Sequence, residues 1–298
     1  MSYTPAVIEK GLLARFAQEM MEFQAARSQA PGIMGAAMEI PSNGAYEKMG
    51  WVGAMPAVSQ WIGTRNATQF KDYDYTIKNL DWQTSVPINQ NDLDDDQTGA
   101  LQKLPAMLAR RIMLHPEQLM INLLINGDSD VAYDGVAFFS NVSAPRTIDN
   151  LLAGTGITLA QLEADLNSAL VAMSKFDDDQ DEPLNIRGTL IVCPVDLERK
   201  FRRIVQSTFD ATASIEGVYN PYRDISVVSS PKLSSDDAND WYLLATDEII
   251  KPLVYQNRQM ARPTMEKTNH SKEWVFGADY RGNGGYGLPH LAVKTVNT

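Results

Sequence analysis

The stretch Tyr46–Arg65, YEKMGWVGAMPAVSQWIGTR, decides how the rest of the chain is read. Trp51, Trp61, Gly50, Gly53, Gly63 and Pro56 fall within these twenty positions, a density of glycine that argues against helix. Glycine loses the most backbone freedom on folding, so ordering such a segment is costly and the rings must recover the cost by burial. A fully covered aromatic side chain hides roughly 150–250 Å². Two readings follow. The segment is either a strand–turn edge of an ordinary core, or an assembly surface completed when a neighbouring molecule covers it.

Working outward, the 298 residues suffice for one large domain or two modest ones. A hydrophobic content of 44% with 21% charged residues supports a sizeable core without metal or disulfide staples. The single cysteine, Cys193, sits in the apolar run TLIVCP (189–194) and reads as a buried small hydrophobe suited to a reducing compartment. No stretch reaches the roughly 18 apolar residues of a membrane span, and Glu9, Lys10 and Arg15 interrupt any secretory signal at the N-terminus. A formal charge of −11 repels phosphate backbones and disfavours direct, tight nucleic-acid binding.

Thr4-Pro5 opens a helix whose Ile8, Leu12, Phe16, Met20 and Phe23 form one apolar stripe. Residues 28–45 are rich in Gly, Pro, Ser and Ala and read as an extended connector. Phe70, Tyr73, Tyr75 and Ile77 on one run, and Trp82, Thr84, Val86 and Ile88 on the next, predict a β-hairpin turning at KNLD (78–81). Leu101, Leu104, Leu108 and Ile112, continued by Leu119, Leu123 and Leu124, predict a long helix stopped at Asn126-Gly127, with Pro105 in its first turn and a kink or restart at Pro116. Thr158–Gln161 reads as a capping box, TLIVCP as a strand buried on both faces, and DLERKFRRIVQ (196–206) as a short amphipathic helix. The strands ISVVSS (225–230), WYLLAT (241–246), PLVYQ (252–256), WVFGADY (274–280) and LAVKTV (291–296) complete a mixed α+β pattern.

Catalytic chemistry is hard to find. His115, His270 and His290 stand in no metal-ligand spacing, and there is no nucleophile elbow or P-loop. Asp92, Asp94, Asp95 and Asp96 lack the spacing of a calcium loop and read as acidic residues favoured near a helix N-terminus. Gly282, Gly284 and Gly287 formally match a dinucleotide fingerprint, but LPHLAVK follows where a helix should start, so they read as tight turns. Arg199, Lys200, Arg202 and Arg203 read as a solvated helix face, or as a charged contact to a neighbour's acidic surface. No cofactor, metal or catalytic residue is expected.

The run GWVGAMPAVSQWIGTR resembles the Gly-Trp-x-Gly, Pro, Trp-x-Gly pattern of the Mu-like prophage major head subunit family. VPINQNDLDDDQTG (86–99), LPAMLARRIMLHPEQLMINLLING (104–127), YDGVAFF (133–139) and FGADYRGNGGYG (276–287) agree with it in order. The resemblance implies the α+β tailed-phage capsid shell fold of the Hong Kong 97 type. Its parts would be an N-terminal arm (1–45), the Trp/Gly-rich segment leading into a peripheral domain (46–66), an extended β-hairpin loop (67–90), the peripheral domain with its spine helix (91–150 and 257–298) and an inserted axial domain (151–256). It implies a major capsid protein, not an enzyme, that assembles with copies of itself into pentamers and hexamers. Scaffold, protease and portal would serve assembly in the host bacterial cytoplasm, and the virion shell would enclose double-stranded DNA without sequence-specific binding. Ile8, Leu12, Phe16, Trp51, Trp61 and Trp82 are the candidate assembly contacts. An encapsulin-like nanocompartment shell and a soluble enzyme are the alternative readings.

Overall fold

The computed structural model describes residues 5–30, 32–52, 72–89, 91–92, 95, 101–142, 146, 148–177, 183–207, 219–267 and 273–297. The chain opens with helix α1 (Pro5–Gln29), then a 3-10 turn at Gly32–Ala36 and strand β1 (Ala37–Pro41). Strands β2 (Tyr46–Val52), β3 (Asp72–Lys78) and β4 (Leu80–Asn89) precede the long helix α2 (Leu104–Asn126). Strand β5 (Leu151–Ala153), helix α3 (Leu159–Ser174), strand β6 (Leu190–Pro194), helix α4 (Val195–Gln206), strand β7 (Ser226–Ser230), helix α5 (Pro231–Asp236) and strand β8 (Trp241–Leu244) follow. Two long strands, β9 (Leu253–Lys267) and β10 (Glu273–Tyr286), lead to the final strand β11 (Ala292–Val296).

These strands form a four-stranded sheet, β1-β9-β10-β4, a five-stranded sheet, β5-β11-β8-β6-β7, and a separate two-stranded ribbon, β2-β3. Helix α2 is the element the two sheets share. Its Leu108, Ala109, Ile112 and Met113 pack with Leu12 and Phe16 of α1 against Phe276 and Ala278 of β10. One stretch further on, Leu119, Met120, Ile121 and Leu124 enter a second core with Phe138, Phe139, Leu190, Val192, Tyr242 and Leu253. A third core fills the opposite face of the five-stranded sheet, where α3 and α4 cover Ile191, Cys193, Trp241, Leu243 and Val293. Both faces of that sheet are therefore dry, which explains why TLIVCP is an unbroken apolar run: every residue of β6 is buried.

The ridge of α1 forms as its four-residue spacing predicts, with Leu12 and Phe16 buried and Met20 and Phe23 packed at the margin. Pro105 sits at the start of α2, where a missing N–H is harmless. Pro116 neither ends nor restarts α2, which runs through it with the ring buried. Burial on the core side holds the helix together across the one backbone bond the proline removes.

The pairing of the strands differs from expectation at several points. β3 and β4 do not form a hairpin with each other: β3 pairs antiparallel with β2, and β4 pairs antiparallel with β10. The apolar alternation of the two runs was real, but alternation fixes a strand's face and not its partner. The connector 28–45 supplies β1, which adds in parallel to β9. PLVYQ opens β9 in the four-stranded sheet, while LAVKTV supplies β11 at the heart of the five-stranded one. Gly282 and Gly284 do not make tight turns but lie within β10, as does Gly285, while Gly287 follows the end of the strand. A Cβ on Gly284 would stand 2.5 Å from Met120 Cε, and one on Gly285 would stand 2.4 Å from Ile77 Cδ1. The strand is thinned where α2 and β3 clamp it from its two sides.

Candidate functional site

The ribbon β2-β3 stands apart from both larger sheets, seven residues on each strand, with Tyr46 opposite Lys78 at one end, the root, and Val52 opposite Asp72 at the other end of the paired residues. A two-stranded ribbon is marginal in water by itself. Its apolar anchorage is at the root, where Ile77 is buried against Val254 and Tyr75 packs beside them. The Tyr75 hydroxyl accepts from the Tyr286 backbone N–H at 3.3 Å, and burial pushes that phenol above its ordinary range. Polar contacts among the described residues add to this anchorage. Oε1 of Glu47 accepts from the Ser42 hydroxyl at 2.9 Å and from the backbone N–H groups of Asn43 and Gly44 at 2.9 and 3.0 Å. Those three donors, Ser42 first, hold the Glu47 carboxyl below the usual range.

Of the six residues expected as assembly contacts, the structure places Leu12 and Phe16 inside the chain itself. They are 4% and 0% exposed, because α2 and β10 offer them an apolar trough within the same molecule. Leu12 and Phe16 are thus part of a seam of the chain's own core. Ile8 lies in α1, but its side chain is outside the described residues. Trp82 is also tied to the chain. Its Nε1 donates to the Gly282 carbonyl at 2.9 Å, and its ring lies 4.5 Å from His115 and 6.5 Å from the ring of Tyr280. Trp51 is on β2 opposite Tyr73, so it belongs to the ribbon, and its side chain lies outside the described residues. Trp61 lies outside them altogether, as do Asp94 and Asp96 of the acidic cluster.

Elsewhere the surface offers no catalytic arrangement among the described residues. No group of three or more His, Cys, Asp or Glu side chains is placed to hold a metal ion, and no helix is long and apolar enough to cross a membrane. Cys193 is fully buried, and burial pushes its thiol up to about 12. On α4, Arg202 pairs with Glu198 at 2.7 Å and Lys200 donates to the Ile157 carbonyl at 2.7 Å, so half of the basic cluster is engaged within the chain. Large apolar side chains do stand in solvent: Met21 on α1, Met107 on α2, Met260 on β9, and Ile249, which is 95% exposed, after β8. The buried ion pairs are structural. Lys294 Nζ lies 2.5 Å from Asp128 Oδ2 and 3.3 Å from Asp240 Oδ2, joining the end of α2 to β8 and β11. Sequence reasoning missed this cluster and the Ser42–Glu47 contacts. Ser42-Asn43-Gly44 was a readable turn signal, whereas the long-range partners had none.

An N-terminal helix laid along a long central helix, a separate two-stranded ribbon, and a second sheet covered by helices define the tailed-phage capsid shell fold of the Hong Kong 97 type. Solved structures agree. The procapsid protein of bacteriophage JBD30 superposes with a TM-score of 0.53 at 22% identity, covering 99% of this chain and 77% of that one. The mature capsid protein of bacteriophage PhiM1 gives 0.60 at 9% identity, with coverages of 89% and 86%. The encapsulin SrpI of Synechococcus elongatus PCC 7942 gives 0.56 at 13%, with 88% and 85%.

Within that class the chain belongs to the Mu-like prophage major head subunit family, gpT, whose sequence profile matches residues 11–150, 155–233 and 221–298. Two relatives carry matching names. The Mu-like prophage FluMu major head subunit of Haemophilus influenzae is 23% identical over 259 residues, 85% of this chain and 62% of that protein. The major capsid protein of Escherichia phage Mu is 24% identical over 300 residues, 98% of this chain and 74% of that protein. The chain thus spans between three-fifths and three-quarters of the length of these relatives. Its family and its fold are those of structural head proteins, and the enzyme reading is set aside.

Proposed function

We propose that this protein is the shell-forming subunit of a phage head, closing with copies of itself around double-stranded DNA. The observation that carries the reading is the ribbon β2-β3 on a chain that matches the head-subunit family over nearly its whole length. A two-stranded ribbon is marginal by itself and gains from a surface on another copy. Subunits with different patches on their two flanks join head to tail and close into five- and six-membered rings. Obligate contacts of this kind bury on the order of 2,000–5,000 Å², enough to outweigh the freedom lost on association. Trp51 and Trp61 are the contact residues retained from the sequence reading, with 46–78 as the lapping element.

The net charge of −11 suits a container, since a chain without a strong positive excess does not pin packaged DNA. Scaffold, protease and portal belong to the same proposal, as does assembly in the bacterial cytoplasm. The likeness to an encapsulin, at a TM-score within the range of the phage capsids, keeps a nanocompartment as a second reading at the level of fold. The family match favours the phage head. Electron microscopy of particles purified after expression with the neighbouring head genes, followed by nuclease treatment, tests both. Closed shells protecting double-stranded DNA support the proposal. Shells holding a protein cargo and no DNA support the nanocompartment, and a stable monomer or dimer under all conditions refutes both.

A further inference from the structure

Both strands of the ribbon leave the body through one polar knot. Ser42 stands at its centre, donating to Glu47 Oε1 at 2.9 Å and accepting from Asn79 Nδ2 at 2.8 Å and from Gln256 Nε2 at 3.4 Å. Asn79 also donates through Nδ2 to the Gly44 carbonyl at 2.9 Å and through its backbone N–H to the Ala45 carbonyl at 3.0 Å. Gln256 reaches the Ile77 carbonyl at 3.4 Å. The turn before β2, the turn after β3 and strand β9 of the body are therefore tied at one point, although 214 residues separate Ser42 from Gln256.

The apolar anchor at Ile77 is non-directional, and the directional bonds that β3 makes to the body, from the Tyr286 N–H to the Tyr75 hydroxyl at 3.3 Å and from Asn283 Nδ2 to the Lys78 carbonyl at 2.9 Å, hold the second strand. Hydrogen bonds weaken steeply when bent and so carry an angle. Glu47 holds three of them on a single oxygen, which locks the 42–47 turn against the first strand of the ribbon. The knot is not tuned for stability alone. Asn79 Oδ1 and Gln256 Oε1 are both buried without a hydrogen-bond partner, in side chains that are 4% and 0% exposed. Unpaired buried acceptors are rare enough in native proteins to require a reason, and fixing a geometry supplies one.

We propose that Glu47 is a positioning residue that sets the angle at which the ribbon leaves the body, and so fixes where it lands on the next copy. The second half of this statement rests on the shell reading given above.

The test uses the full-length chain kept dilute and unassembled, with spin labels at Thr76→Cys on the ribbon and Gln118→Cys on α2, both exposed positions. Pulsed electron resonance then reads the distance distribution between them. With Glu47 intact, one narrow distribution is expected. Glu47→Ala should at least double its width, whereas Glu47→Gln, whose carbonyl oxygen still accepts all three bonds, should leave it narrow. Should the alanine variant not fold, Glu47→Asp, one methylene short of its donors, should give an intermediate width. An alanine or aspartate distribution as narrow as that of the parent, centred at the same distance, overturns the proposal. Light scattering at assembling concentration reads the second half. Closed particles should fall at least tenfold for Glu47→Ala and not for Glu47→Gln. Particles at parental yield from a loosened ribbon would remove the landing role and leave the angle-setting role. Absence of particles from the parent chain would count against the shell reading, and the distance measurement would still decide the hinge.

Discussion

Replacing Lys294 with methionine keeps the aliphatic stem and deletes the charge that joins the end of α2 to β8 and β11. The Lys294 side chain is 7% exposed, and its ammonium faces Asp128 at 2.5 Å and Asp240 at 3.3 Å. Burial opposes that charge, yet Asp128 and Asp240 together outweigh it and hold the ammonium above its ordinary range. The two acids differ in what they lose. Asp128 is 44% exposed and can return to water, whereas Asp240 is 9% exposed and cannot. Removing one member of a buried pair costs about 3–5 kcal/mol, and only one carboxylate is stranded here, so a loss of about 3 kcal/mol is expected. In urea denaturation of the unassembled subunit, with a slope of about 3 kcal/mol per molar, the midpoint should fall by about 1 M.

The double variant Lys294→Met/Asp240→Asn should recover most of that loss, since the amide carbonyl can still accept from the Asn297 backbone N–H, now 3.0 Å from Asp240. The sign of the pH dependence follows from Asp240, which burial pushes above its ordinary 3.8 even with Lys294 present. The fold disfavours its charged form, so the penalty in Lys294→Met is full well above the raised value and fades as pH falls through it. A loss under about 1 kcal/mol, the scale of an exposed pair, or no recovery in the double variant, refutes the reasoning.

Phe16→Ala empties the α1–α2 seam at a fully buried ring and should cost about 3–5 kcal/mol in the same titration, as a cavity in the chain's own core rather than a lost contact between copies. Gly284→Ala drives a methyl to 2.5 Å from Met120 Cε and 2.9 Å from Leu123 Cδ1, and should cost about 1–3 kcal/mol by overpacking. The Glu47 carboxyl, followed by NMR, should titrate below its ordinary 4.5; what it contributes is present above that value and lost as pH falls through the lower one. Cys193, with its thiol at about 12, should resist a thiol reagent at pH 8 in the folded chain and react fully in denaturant.

Much of the architecture was legible because burial writes itself into spacing. The α1 stripe, the α2 run past Pro116 and the all-buried β6 each carry their period in the sequence. Strand partners were not legible in the same way. Tyr75 and Ile77 alternate correctly for a strand, but nothing local says that β3 answers β2, or that β11 closes the sheet begun by β5 and β6. The glycines of β10 were misread for a related reason. Their cause is the approach of Met120 and Ile77 from distant segments, whereas a glycine cluster by itself suggests a turn. Leu12 and Phe16 read as contact residues because a large apolar side chain looks the same in sequence whichever molecule covers it.

Helix α2 lends Leu108–Met113 to one hydrophobic cluster and Leu119–Leu124 to another. Neither cluster can dissolve without unravelling the rod that the other depends on. Heating the subunit should therefore give one sharp endotherm rather than a stepwise melt, and damage inflicted at either end of the molecule is felt at both.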